Sequence, residues 1–521
     1  MAESKIAMMM LQRLSILIIY FGIVSAGRYS REWSDEVAKI VYAKIDYLLA
    51  NGIEVTQRFD LNNTDAESDY TKYVYDPTLI TTTVDCLDKT HGKCKRAWFG
   101  DRPADIAFSS RKLLRLAFHD CVPYEKPNYG RPCDGCINLD TDDQDGNLEH
   151  NNGLQYTVAV LEKLWLEPDF PENTPILPKS LKEMRLSRAD LWAFASLVAL
   201  NDYWLKTRSE CSGLHGFKAT CGDFPCYPAP LDNVLKMFKT GRDSCSGRAK
   251  KFSKKGEGDF LGYLAGKRER HPNQNDNGVD TVNYYKEHIK LQPRESLALM
   301  GIHTIGHFNR MTSHNNYGWS NGLTNRMDLW SNEYFRNLAQ LPQKIYPIFG
   351  NCNDRVQKNR TFMIQPSFAN QVWPSKDPWC QPGRPGRLFW LLTVDNGTAA
   401  GERKTEHTKM ISADMGYAWK FHFDENGLPR GCNAFKHDDP AWYAPRFSAG
   451  MNDCPKQDLL DEHGIPLYDA VVMYGENATL WMHDFVEAYI KMQENGWTKL
   501  TQGPSKFWSH KCKFLSSDIF D

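Results

Sequence analysis

Arg115 stands four residues ahead of His119 in the string RLAFHDC, Arg115 to Cys121. Residues four apart on a helix are surface neighbours, about 5–6 Å apart at Cβ, so this stretch, folded as a helix, presents a guanidinium and an imidazole on one face. That pair suits a small polar oxidant. The imidazole moves a proton, and the arginine, always cationic, steadies negative charge developing on oxygen. A second string, LALMGIHTIGH from Leu297 to His307, sets an isolated histidine, His303, in an apolar helix punctuated by glycine. Both strings also have ordinary readings: an Arg–His pair arises on solvated helix faces, and a lone histidine in an apolar stretch arises as a hydrogen-bonded core residue. His303 and His307 have the spacing of an i, i+4 metal pair, but the glutamate of a HExxH zinc protease is absent.

Together the two strings read as the two sides of a haem, and in combination they resemble the haem peroxidases of the plant, fungal and bacterial superfamily. Members of that superfamily carry RLxFHDC or RLAWH on the helix over the haem, ALSGxHTIG or ALMGAHALG on the helix beneath it, and an ISxAD helix between. Here the three stand in the same order as RLAFHDC at 115–121, LSRADLWAFASLVAL at 186–200 and LALMGIHTIG at 297–306. NNGLQ at 151–155 is similar to the family's NAGLQ, MISAD at 410–414 to MLPTD, and YGENATLWMHDFVEAYIKMQENGW at 474–497 to the last core helix of yeast cytochrome c peroxidase. The resemblance spans about residues 105 to 505, with insertions. It implies a mainly α fold, two helical lobes with haem b between them.

The resemblance also implies roles. His303 would bind the haem iron through one ring nitrogen while Asp414 accepts the other N–H, making the imidazole electron-rich. Opposite, His119 would take a proton from hydrogen peroxide and deliver it to the departing oxygen, with Arg115 stabilising the separating charge and Asn151 orienting the ring. Two one-electron donations from a reductant would complete the cycle. Phe118 and Asp120 match the secreted branches, in which an Asp after this histidine is a calcium ligand. Asp134 fits a second ligand, although Cys136 stands where the family has serine, and sulfur is a poor partner for calcium. Thr304 matches a ligand of a second calcium site, but the Asp-x-Thr that should follow reads Asn321, Gly322, Leu323. Trp319, sixteen residues after His303, has the spacing of the redox-active tryptophan of cytochrome c peroxidase. It is read either as a redox site or as a packed aromatic.

The donor is read by exclusion. Manganese-binding glutamates are replaced by Phe108 and Lys112, with Asn309 at the third acidic place; the surface tryptophan of lignin peroxidases is Ala298; the ascorbate-binding arginine is Thr312. Phe118 removes the tryptophan that catalase-peroxidases need. A small phenolic or aromatic reductant remains.

Composition agrees with an exported folded protein. A net charge of −1 gives no reason to expect a nucleic-acid or membrane-surface partner. Lys5 and Arg13, the apolar run Leu14 to Val24 and Val24-Ser25-Ala26 read as a signal peptide, residues 1–26, too short in its apolar part to span a bilayer. All 14 cysteines follow it, so disulfides are expected. The resemblance pairs Cys121 with Cys133. Zinc is the competing reading of the CxxC at Cys133 and Cys136, but no second pair completes a tetrahedral site. Sequons at Asn62, Asn359, Asn396 and Asn477 offer N-glycan sites.

Residues 27–104 form an N-terminal extension without family counterpart. It opens on an amphipathic helix, Val37, Ile40, Val41, Ile45, Leu48 and Leu49, expected to pack on the core. The peroxidase-like domain occupies 105–505 and a tail 506–521. Gly241 to Asn277, rich in Lys, Arg, Gly and Asn, reads as an exposed loop, and residues 416–466 as an insertion. The alternative to catalysis is a structural or matrix glycoprotein on the same fold. The presence of Arg115, His119, Asn151, His303 and Asp414 together favours the enzyme.

Overall fold

A computed structural model describes residues 32–51, 54–55, 80–81, 108–127, 130–137, 151, 154–212, 230–245, 269–273, 276–305, 330, 332–340, 344–347, 388–392, 408–423, 429–430 and 455–504. Trp319, His307, Asn309, Thr312, Asn321 to Leu323, the sequons at Asn62, Asn359 and Asn396, and the signal-like start lie outside them. The helices are α1 (Asp35–Asn51), α2 (Ser110–Cys121), α3 (Gln155–Leu166), α4 (Arg188–Ser212), α5 (Gly278–Tyr284), α6 (Pro293–Met300), α7 (Glu333–Gln340), α8 (Ser412–Met415), α9 (Leu467–Glu476) and α10 (Ala478–Gln493). Among the described residues strands are few and short: β1 (Glu54–Val55), β2 (Ile80–Thr81), β3 (Lys239–Thr240), β4 (Lys344–Pro347), β5 (Leu388–Leu392), β6 (Thr408–Ile411), β7 (His422–Phe423), β8 (Pro429–Arg430) and β9 (Thr501–Gln502). The fold is mainly α, as the three-to-four apolar spacing predicts.

Helix α4 is the hub. From Ser187 to Leu200 every residue is buried, because the segment LWAFASLVAL carries apolar side chains all round and must be covered on every side. Helices α1, α2, α3 and a 3-10 helix at Pro230–Met237 pack around it. A second group gathers α6, α7 and α9, and α10 touches both groups through α2 and α6. Four fully buried tryptophans, Trp192, Trp204, Trp330 and Trp481, fill the interior.

The extension helix α1 packs on α4 with Ala38, Val41, Tyr42, Ile45 and Leu48 buried; Val41, Ile45 and Leu48 belong to the stripe read from its sequence, whereas Val37, Ile40 and Leu49 of that stripe are only partly buried. Ala38, Tyr42 and Lys44 join the buried face from outside that stripe. Lys44 is fully buried, and its Nζ donates to Phe170 O at 2.7 Å and Thr174 Oγ1 at 3.2 Å.

Two buried ion pairs hold α4. Arg188 meets Glu162 at 3.2 Å, and Arg242 meets Asp190 at 2.9 Å with both side chains almost wholly enclosed. The second pair corrects the expectation of an exposed loop from Gly241 to Asn277 at its first residues, while residues 246–268 and 274–275 of that stretch lie outside the described ones. Arg242 goes inside because Asp190 neutralises it and the Gly241 N–H caps the same carboxylate. At the other end of that stretch, Glu269 is also buried. Strands β4, β5 and β6 form an antiparallel sheet whose last strand runs straight into α8.

Candidate functional site

Helix α2 buries Leu113, Leu114, Leu116 and Ala117 and leaves Arg115, Phe118 and His119 half-buried. Their spacing of three and four puts them on one face, the face that neighbouring helices leave uncovered. Part of the Arg115 side chain is accessible, yet desolvation by surrounding protein lowers its pKa to about 10. At neutral pH it is still a cation.

His119 Nδ1 lies 2.7 Å from Asn151 Oδ1. An amide oxygen only accepts, so Nδ1 carries the proton and Nε2 the lone pair. Asn151, itself buried, turns its Nδ2 to Glu269 Oε1 at 3.4 Å. The His271 ring stands 4.7 Å from that of His119, with its Nε2 3.9 Å from Glu269 Oε2. Sequence reasoning missed Glu269 and His271, since RERHPN reads as a solvated charge run. Nothing short of the tertiary contact distinguishes it from one.

The second histidine sits on a different local structure from the one expected. Helix α6 begins at Pro293 with the Gln292 N–H donating to Glu295 Oε2 at 2.7 Å, and it ends at Met300. His303 stands on a 3-10 turn, Gly301–Thr304. The continuous helix read from LALMGIHTIG is therefore corrected to a helix followed by a tighter turn. At Gly301 the backbone runs against the rings of Trp481 and Phe335; a Cβ there would strike Trp481 Nε1 and come within 2.6 Å of Phe335 Cζ. Only glycine permits that approach.

His303 Nδ1 lies 2.8 Å from Asp414 Oδ1, and the carboxylate is fully buried while the imidazole is a quarter exposed. Asp414 is placed by α8: at the third position of a four-residue helix, its Oδ2 accepts the Ile411 N–H at 3.2 Å. Tyr334, from α7, donates its O–H to the same Oδ1 at 2.7 Å. Burial first, and then the nearby Asp414, push the Tyr334 phenol well above its ordinary pKa, so it stays a donor. Phe118 and Tyr285 have ring centroids 6.3 Å apart, and Tyr285 Oη lies 3.1 Å from Met300 Sδ. Tyr285 thus connects the α2 side of the site to the α6 side.

Below α2, Asp120 and Asp134 form a second cluster. Asp120 Oδ1 accepts the N–H groups of Gly135 and Cys136 at 2.9 and 3.0 Å; Asp134 accepts the Tyr124 O–H at 3.1 Å and the Arg131 N–H at 3.3 Å. Gly135 adopts φ +73°, and a Cβ would meet the Ala189 backbone N at 2.7 Å, so this turn too needs glycine. Burial, then Asp134, raises Asp120 well above the usual carboxylate range; burial raises Asp134 to about 7 despite the Tyr124 bond. Cys121 is bonded to Cys133 and Cys136 to Cys245. The sulfurs of Cys136 and Cys245 near Asp134 are therefore bonded to each other, accept from Arg188, and are not thiolate ligands, which overturns the zinc reading of that CxxC. Thr304 is buried beside His303. Among the described residues no helix is long and apolar enough to cross a membrane.

A search of curated proteins finds no match to the chain. The sequence model of one family, described as Peroxidase, matches residues 93–365, just over half of the chain. That span takes in Arg115, His119, Asn151 and His303, while Asp414 lies beyond it. With the sequence match and the helical architecture in agreement, the chain belongs to the peroxidase family.

Proposed function

We propose that this protein is an exported haem peroxidase that reduces hydrogen peroxide to water at the expense of a small phenolic or aromatic donor. The observation that carries the reading is an asymmetry: one histidine has a neutral amide on its Nδ1 and the other an anion. An anionic partner makes His303 an electron-rich ligand through Nε2. A neutral partner places no counter-charge on Nδ1 of His119 and leaves Nε2 to take up and pass on a proton.

The residues fit a haem. Arg115, Phe118 and His119 on one side and Ile302 and His303 on the other are half-open positions flanked by buried ones, which is the surface a large apolar ring would cover. His303 would hold the iron; haem, when bound, supplies a metal that takes two oxidising equivalents from peroxide and returns them singly to a donor. The protein does the proton work. His119 Nε2 takes a proton from one peroxide oxygen and gives it to the other, and the Arg115 cation stabilises the charge on the departing oxygen. Asn151 fixes the His119 tautomer. Hydrogen peroxide plus two donor O–H groups gives two waters and two donor radicals, so the balance closes.

Asp120 and Asp134 would bind calcium: two buried carboxylates with raised pKa are a site short of positive charge, and their donors are hard oxygens. Export is supported by the two disulfides found among the described residues. Asn477 is exposed at the N-cap of α10, where its Oδ1 accepts the Leu480 N–H, and the amide nitrogen would carry the glycan.

The test is haem-loaded protein mixed with peroxide. His119→Leu should keep its Soret band and slow the peroxide-dependent spectral change by about 10²–10⁴-fold; unchanged kinetics would defeat the assignment.

A further inference from the structure

Asp414 Oδ1 serves two donors at once, His303 Nδ1–H at 2.8 Å and Tyr334 O–H at 2.7 Å. Its other oxygen is held by the Ile411 N–H. A carboxylate oxygen accepts several bonds, but its negative charge is divided among them. In water a second donor would be unremarkable. Here Asp414 and Tyr334 are both wholly enclosed, and a charge-assisted bond in such surroundings is short and strong.

We infer that Tyr334 is a positioning residue for His303: by drawing on the oxygen that receives the imidazole N–H, its phenol holds the proton on Nδ1 and sets how electron-rich the opposite nitrogen is. The inference rests on His303 being the axial ligand. Without the phenol, Asp414 Oδ1 would pull harder on the Nδ1 proton, the ring would gain imidazolate character, and Nε2 would become the stronger donor to a metal. With it, the ligand is moderated.

The ring geometry supports a specific role over simple filling. Tyr334 meets His303 edge-on, centroids 6.3 Å apart at 70°, and its other side meets Phe335 edge-on at 5.0 Å. The tyrosine is thus wedged between a core aromatic and the imidazole, with its hydroxyl delivered to Asp414. Phenylalanine would satisfy every one of those packing contacts. Only the hydrogen bond requires the oxygen.

The experiment compares haem-loaded full-length protein with Tyr334→Phe by resonance Raman of the ferrous state and by potentiometric titration. The expected result is an upward shift of the iron–histidine stretching band and a lower reduction potential in the variant, with haem retained. In an Asp414→Asn background the same substitution should shift neither. If Tyr334→Phe leaves band and potential where they were, or shifts them equally when Asp414 is gone, the inference is overturned. A wild-type protein that binds haem with no iron–histidine band overturns the axial assignment itself, and with it this inference, and is distinguishable because the variant is not needed to see it.

Discussion

Asp134 offers the most quantitative prediction. Its carboxyl moves from 3.8 to about 7 on folding, chiefly through burial, with Asp120 displaced in the same direction beside it. A folded pKa above the unfolded one means that the native state binds more protons between the two values, so stability falls as pH rises through that window. The stability is fully present below about 3.8 and gone above about 7. At 1.36 kcal/mol per pH unit, ionising this buried carboxyl costs on the order of 4 kcal/mol. Asp134→Asn removes the titration while keeping size and polarity. In chelator, wild type and variant should therefore be closest in stability near pH 4, and the variant should gain on wild type steadily as pH climbs to about 7, with little further change above it. A bound divalent cation reverses the sign of the problem, since it wants the charge that burial opposes. At a calcium concentration of about 100 times the dissociation constant, linkage contributes about 2.7 kcal/mol. Calcium should stabilise wild type most above pH 7, little at pH 5, and should do less for Asp134→Asn. The assay is urea unfolding followed by circular dichroism across this range. A difference between wild type and variant that stays constant with pH would refute the linkage, and a calcium effect as large at pH 5 as at pH 8 would refute the ion site.

Two other substitutions probe the frame that holds the site. Gly301→Ala should cost about 1–3 kcal/mol by overpacking against Trp481 and Phe335, and because the next turn carries His303, haem should dissociate faster in a transfer assay to apomyoglobin. Lys44→Met should keep the packing of α1 but strand the Phe170 carbonyl, lowering stability by about 1–3 kcal/mol in urea unfolding, with the rate of peroxide reaction unchanged.

Some of this site is legible in the chain because its logic is local. Arg115, Phe118 and His119 share a face through helical spacing alone, and the apolar residues between them announce which side is buried. The extension helix is legible for the same reason. The partner of His303 is not local: Asp414 lies 111 residues away, and only resemblance to a family brought it forward. Tyr334 carries no signal of its own, since a tyrosine on a short helix with apolar neighbours reads as packing, and it becomes a functional candidate only when α7 and α8 meet. Arg242 and Glu269 read as solvated in the sequence because charge there says where a residue prefers to be when alone. Asp190 and Asn151 supply the company that changes that preference.

Asn151 shows why the site needs an amide at this point. It accepts from His119 through Oδ1 and gives to Glu269 through Nδ2; no other side chain of this size joins an imidazole N–H to a carboxylate by accepting on one arm and donating on the other. Asn151→Asp keeps the volume and the bond to His119 but removes the donor, and it sets two carboxylates at the 3.4 Å separation that now holds a hydrogen bond. Like charges at that distance share a proton or move apart, and in both arrangements net negative charge arrives next to His119. An opposite charge within about 4–6 Å raises the pKa of a histidine by about one to three units, so His119 would hold its proton to higher pH and be a base in a smaller fraction of molecules. The expected result is an acid limb of the pH–rate profile for the peroxide step displaced upward by that amount in stopped-flow measurements, with the rate above the new limb largely recovered. A profile that drops uniformly without moving would mean that Asn151 acts on the geometry of His119 and not on its charge, and the division of the two histidines into a neutral-partnered base and an anion-partnered ligand would lose its physical basis.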